Sequence, residues 1–135
     1  MTIVAASGYF DPLHVGHIDY LERAKKLGDK LIVIINNDKQ AILKRGHEFM
    51  PLVERAKIVG AIRCVDEVTI SVDEDGTVCK TLALLKPDIF AKGGDRFGHE
   101  IPEAEICKEL GIKVIDGLGK KIQSSSILVE KIWKR

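Results

Sequence analysis

Two histidines three residues apart, His14 and His17, stand in the segment Ser7-Gly8-Tyr9-Phe10-Asp11-Pro12-Leu13-His14-Val15-Gly16-His17. Residues at that spacing lie together on the first turn of a helix. Unpaired backbone N–H groups and the positive end of the helix dipole attract anions there. Gly16, between them, lets a ligand approach the backbone. The chemistry this suits is phosphate binding by histidines in place of a lysine loop. Half of a zinc site is the rival reading. A His-x-x-His pair without a third ligand is weak evidence for metal, and neither His47 nor His99 is spaced to join it. No metal ligands are assigned.

Three other groups carry candidate chemistry. Lys92-Gly93-Gly94-Asp95-Arg96 follows an apolar run. A glycine pair is a common turn signal, and with these flanking charges it also suits a ligand that presses on the backbone. It is not a Walker loop, because His99-Glu100 stands where Lys-Ser/Thr would be required. Lys120-Lys121-Ile122-Gln123-Ser124-Ser125-Ser126 precedes the last helical pattern. Serines at a helix start are ordinarily caps, but hydroxyls, helix N–H groups and lysines together make an anion cradle. Lys44, Arg55 and Arg63, taken alone, read as solvated helix charges.

The elements that position these groups alternate. Strands are predicted at residues 2–6, 30–36, 66–71, 88–92 and 112–115, and helices at 15–27, 51–63, 77–85, 102–110 and 124–133. Residues 37–48 are polar and read as a loop or a partly ordered segment. Leu31-Ile32-Val33-Ile34-Ile35 is apolar without alternation, as a strand buried on both faces requires. Strands separated by helices imply a Rossmann-like, doubly wound, five-stranded parallel sheet in the α/β class. Right-handed crossovers would bring the first turn, the Gly93-Gly94 turn and the segment before Ser124 to one edge.

At 135 residues, with 45% hydrophobic residues and a formal charge of +1, the chain reads as a single domain spanning 1–135. Near-neutrality argues against a general nucleic-acid coat, and no apolar run is long enough for a membrane span. Cys64, Cys79 and Cys107 are scattered and odd in number, which suits reduced thiols. No signal peptide is visible, so a cytoplasmic location is expected.

These motifs resemble those of the cytidylyltransferase-like nucleotidyltransferases, whose first signature is Gly-x-Phe-Asp-x-x-His-x-Gly-His. Gly8, Phe10, Asp11, His14, Gly16 and His17 match every fixed position. The likeness continues through Leu27 to Val33, Glu54-Arg55, Val65 to Val68 and Lys86-Pro87-Asp88. The Lys92-Gly93-Gly94-Asp95 run looks most like the adenylyltransferase domain of the bifunctional heptose-phosphate enzymes, with glycerol-3-phosphate cytidylyltransferase as the nearest rival. The second signature departs from the pattern: Gln123-Ser124-Ser125-Ser126 stands there without the signature's arginine, for which only Lys120 or Lys121 could substitute.

The resemblance implies transfer of a nucleotidyl group from ATP or CTP to a phosphorylated small acceptor, with adenylyl transfer to a sugar 1-phosphate favoured. His14, His17 and Lys44 would be catalytic, with Gly8, Tyr9, Phe10, Gly16, Gly93, Gly94, Asp95, Gln123, Ser124, Ser125 and Ser126 against the nucleotide. Arg55 and Arg63 would face the acceptor or the triphosphate. Mg²⁺ would arrive with the triphosphate. Relatives are often dimers, so a homodimer is one assembly the resemblance implies. A nucleotide sensor without catalysis and a metal or redox module are the readings from other classes.

Overall fold

The structure, a computed structural model, describes residues 1–93 and 101–118. The elements run β1 (Ile3–Gly8), α1 (Val15–Lys25), β2 (Lys30–Ile35), α2 (Asp38–Arg45), α3 (Leu52–Gly60), β3 (Glu67–Ile70), α4 (Cys79–Leu85), β4 (Ile89–Gly93), α5 (Ala104–Leu110) and β5 (Lys113–Leu118). The five strands form one sheet in the order β3-β2-β1-β4-β5, and every pairing is parallel. Parallel pairing follows from the helical crossovers, since a hairpin turn cannot return the chain in the same direction.

Side-chain alternation splits the core into two layers. Val4 and Ala6 of β1, with Leu31, Val33 and Ile35 of β2, pack under Tyr20, Leu21 and Ala24 of α1 and Val59 of α3. Ala5, Ile34 and Phe90 face the other way, against Leu82 of α4 and Cys107 of α5. Covered on both faces, the central strands are apolar along most of their length, which is why their pattern lacks alternation.

The expected strands and the α/β class are present, with boundaries shifted by a few residues. One element was misread: residues 37–48 hold α2 rather than a loop. A reciprocal cap explains it, for Asn37 accepts the Gln40 N–H at 2.9 Å while the Gln40 side chain accepts the Asn37 N–H at 3.0 Å. Gly46, at φ 84°, then ends the helix in the left-handed region. The polar composition that suggested a loop belongs to a helix that exposes Lys39 and Lys44, together with the apolar Ile42 and Leu43. The predicted closing helix lies outside the described residues.

The two edges of the sheet differ. At the N-terminal edge, Asp29, Asp88 and Asp66 accept the N–H groups of Thr2, Ile3 and Leu31. The chain's own carboxylates occupy that edge. The C-terminal edge has a different construction, because β1 is the point where the winding direction reverses, with β2 on one side and β4 on the other. Ligands of open α/β sheets bind in the crevice at such a point.

Candidate active site

A tyrosine opens that crevice. β1 and β4 pair only as far as Ala6 and Ala91, whereas β1 stays paired with β2 through Gly8. Beyond the last rung the Tyr20 hydroxyl accepts the Ser7 N–H at 3.2 Å and donates to the Ala91 carbonyl at 2.5 Å. It thereby satisfies two backbone groups that the ladder no longer pairs. Burial raises the Tyr20 pKa far above the ordinary phenol value, so this hydroxyl remains a donor. Gly93 has its reason here: a Cβ would come within 2.8 Å of the Tyr20 ring. Its lack of a side chain makes room for a tyrosine.

The turn after β1 is packed around Phe10. Phe10 is buried, adopts φ 51°, and its ring folds back so that a Cβ on Gly8 would come within 3.0 Å of it. Gly8 thus serves the turn. The carboxylate of Asp11, also buried, accepts the N–H of Phe49 at 2.7 Å and that of Met50 at 2.5 Å. This ties the turn to the segment between α2 and α3.

His14 and His17 then build the start of α1 themselves. His14 is the N-cap, and its Nδ1 accepts the Gly16 N–H at 3.1 Å. His17 Nδ1 accepts the His14 N–H, also at 3.1 Å. It is a capping box made of two imidazoles. The Gly16 amide, expected to face the nucleotide, is therefore engaged by the cap. The rings stack with centroids 3.8 Å apart, and Phe10 meets the His17 ring edge-on at 4.9 Å.

An imidazole whose Nδ1 accepts a hydrogen bond carries its proton on Nε2 when neutral. Neutrality is favoured at both positions. Burial lowers the His14 pKa, and burial, with help from His14 and Lys44, lowers that of His17 to about 3. Each ring is thus set to donate one Nε2–H without carrying charge.

Lys44 supplies the charge. Its ammonium lies 4.3 Å from the centroid of the Tyr9 ring, and it acts electrostatically on His17. Lys44 reaches this place because α2 is anchored at its N-terminal end. The Asn37 carboxamide donates to the carbonyls of Ser71 and Asp73, and that of Gln40 to those of Asp75 and Thr77.

The two arginines differ from expectation. Arg55 is fully buried and donates to the carbonyls of Tyr9, Asn36 and Met50 and to the carboxylate of Asp38. It presents no surface to an acceptor. Instead it joins the ends of β1 and β2, the start of α2 and the 46–51 segment. Arg63 is exposed in the stretch that leads into β3, which runs parallel to β2. Parallel topology puts that stretch at the N-terminal edge, across the sheet from the histidines. Both assignments to the acceptor are corrected on these grounds.

The structure therefore gathers His14, His17, Tyr9, Phe10, Gly8, Gly16 and Lys44 at one edge, with Gly93 at the end of the neighbouring strand β4. Gly94, Asp95, Gln123, Ser124, Ser125 and Ser126 lie outside the described residues. Sequence reading missed the supports: Tyr20, Asp38, Asn37 and Gln40. Only the Asn-x-x-Gln spacing of the last two was a usable signal. Burial raises the thiol pKa of Cys64, Cys79 and Cys107, the last to about 11, so all three are protonated near neutrality. No helix among the described residues is long and apolar enough to cross a membrane.

Comparison with known proteins agrees with this architecture. A bifunctional protein HldE from Streptomyces coelicolor is 44% identical over 114 residues, covering 82% of this chain and 24% of that protein. Another, from Citrifermentans bemidjiense, is 41% identical over 138 residues, covering 96% and 27%. The chain thus spans about a quarter of the length of these relatives. The crystal structure of a lipopolysaccharide core biosynthesis protein from Thermoplasma volcanium superposes with a TM-score of 0.75 at 31% identity, covering 88% of this chain and 98% of that one. A protein of unknown function from Archaeoglobus fulgidus, at 18% identity and a TM-score of 0.66, shares the fold. The model of the cytidylyltransferase-like family matches residues 5–127. With nearly its whole length matched, the chain belongs to the cytidylyltransferase-like family.

Proposed function

We propose that this chain transfers a nucleotidyl group from a nucleoside triphosphate to a phosphorylated small molecule, releasing pyrophosphate. Adenylyl transfer to a sugar 1-phosphate is the favoured form. The supporting observation is the imidazole capping box: two neutral rings, fixed as Nε2–H donors, beside a lysine at the crevice between β1 and β4.

The chemistry asks little of the protein beyond placement. An oxygen of the acceptor phosphate, already an anion, forms a bond to the α-phosphorus. The bond from that phosphorus to the bridging oxygen breaks, and pyrophosphate leaves with the electron pair. Alignment and charge stabilisation then carry the rate. His14 and His17 donate to oxygens that gain charge, and Lys44 offsets the charge of the departing group. Donors locked by the helix cap need no reorganisation as charge develops.

Mg²⁺ would supply neutralisation of the phosphates when bound with the nucleotide. Among the described residues no three His, Cys, Asp or Glu side chains are grouped to hold a metal ion. The ion would meet this chain through its substrate. The preference for adenylyl transfer draws on the Lys92-Gly93-Gly94-Asp95 run and on the HldE relatives. A pyrophosphate-release panel crossing ATP, CTP, GTP and UTP with phosphorylated sugars and polyols tests the proposal. Release with CTP and a polyol phosphate alone would replace the favoured form, and nucleotide binding without release would mark a sensor.

A further inference from the structure

Resting on that reading, we infer that the Asn36 carboxamide recognises a hydroxyl group of the acceptor. Asn36 directly follows β2, and its N–H donates to the Gly8 carbonyl at 2.9 Å, which carries the β1–β2 pairing one step further. Its carbonyl accepts from Nη1 of Arg55 at 2.6 Å, and the same nitrogen donates to the Tyr9 carbonyl at 2.8 Å. One buried guanidinium therefore fixes Asn36 against the turn that leads to the histidines.

The side chain has no such tie. Asn36 is only 4% exposed, yet its carboxamide makes no hydrogen bond with any described residue. Its neighbour Asn37 is the contrast: that carboxamide accepts the Gln40 N–H and donates to the carbonyls of Ser71 and Asp73. Burying an amide without a partner costs free energy, and neither the strand nor the helix cap requires asparagine at position 36. The amide is not sealed in the core either. Among the described residues the one fully buried side-chain oxygen or nitrogen without a partner is Glu103 Oε1. The Asn36 amide atoms thus keep contact with solvent at the C-terminal edge, held in place for a partner outside the chain.

A carboxamide offers an acceptor oxygen and two donor hydrogens without charge. Phosphate is better served by the imidazoles and Lys44; a hydroxyl, which both donates and accepts, suits an amide. Position selects the substrate that carries it. In the sheet order β2 lies on one side of β1 and β4 on the other. The nucleotide crevice opens between β1 and β4, whereas Asn36 stands at the end of β2, beyond the turn that bears the histidines. A group there meets what lies on the far side of the nucleotide, which in this reaction is the acceptor.

The test uses Asn36→Leu in the full chain, which keeps the bulk and removes the polar atoms, beside Asn36→Ala, which cannot clash. Wild type and both variants are titrated calorimetrically with mannose 1-phosphate, glycerol 3-phosphate and ethyl phosphate, the last lacking any hydroxyl on carbon, and with ATP and CTP. Wild type should bind at least one hydroxylated probe about tenfold or more tightly than ethyl phosphate, the size of one or two neutral hydrogen bonds. Both variants should erase most of that margin and leave ethyl phosphate, ATP and CTP within about twofold. In turnover the KM for the acceptor should rise while kcat holds, the mark of lost uniform binding. The unfolding midpoint of Asn36→Leu should not fall, because no residue pairs the amide it removes. Equal binding of the three phosphates by wild type, an unchanged margin in both variants, or a loss confined to ATP and CTP would overturn the inference. Loss of every ligand together with a lower midpoint in Asn36→Leu would also overturn it. Absence of pyrophosphate release from wild type would instead count against the proposed reaction, because the titrations judge Asn36 without turnover.

Discussion

The Nδ1 of His17 accepts the His14 N–H at 3.1 Å while its ring stacks on the His14 ring, with centroids 3.8 Å apart. One side chain thus caps the start of a helix through Nδ1 and, in the proposed reaction, presents Nε2–H to phosphate, so structure and chemistry share one ring. The two roles separate by substitution. His14→Asn keeps a good N-cap acceptor but has no Nε2–H. Its unfolding free energy should stay within about 0.5 kcal/mol of wild type while turnover falls at least about a hundredfold. His17→Ala should lose turnover to a similar degree and stability by about 1 kcal/mol as well. Near-normal kcat in both variants would end the assignment of either ring to the chemistry.

Acid should destabilise the fold through His17. Its pKa is about 3 in the folded chain, against an ordinary value of 6.5. Between those values the unfolded chain binds a proton that the folded chain refuses. The stability attached to neutral His17 is therefore complete above about pH 6.5 and is lost progressively as pH falls toward 3. Urea midpoints measured across that window should slope more steeply for wild type than for His17→Gln. Parallel slopes would show that His17 titrates normally.

Arg55 should behave as a structural residue. Replacing it with Met strands the carbonyls of Tyr9, Asn36 and Met50 and leaves the Asp38 carboxylate without its partner. A loss on the order of 3 kcal/mol is expected, from several buried acceptors left unsatisfied. Denaturant titration reads it directly. A stable Arg55→Met protein with only a raised KM for the acceptor would restore the binding role that burial removes.

Tyr20 and Gly93 should fail together. Gly93→Ala pushes a methyl to 2.8 Å from the Tyr20 ring, a misfit worth about 1–3 kcal/mol. Tyr20→Phe leaves the Ser7 N–H and the Ala91 carbonyl unpaired, at about 1–3 kcal/mol. Since a ring displaced by the methyl of Gly93→Ala already loosens the two hydrogen bonds of the hydroxyl, the double variant should lose less than the sum of the two. Additive losses would indicate that Gly93 matters for some reason other than Tyr20.

What the sequence determined alone was whatever depends on local spacing or on continuous burial. The apolar runs of β1 and β2 announce a parallel sheet because a strand covered on both faces cannot alternate. His14 and His17 announce a helix start with two neighbouring imidazoles because three residues of separation make neighbours on one turn. Tertiary structure decided the role of each charged side chain, since a charge in sequence carries no sign of what surrounds it. Arg55 looked like a ligand contact and is buried among carbonyls; Arg63 looked similar and lies at the opposite edge. Lys44, taken alone, looked like a solvated helix charge, yet α2 carries its ammonium over the Tyr9 ring at the end of β1, and β1 and β4 meet around Tyr20. Such meetings arise from strands distant in sequence, where no spacing rule reaches.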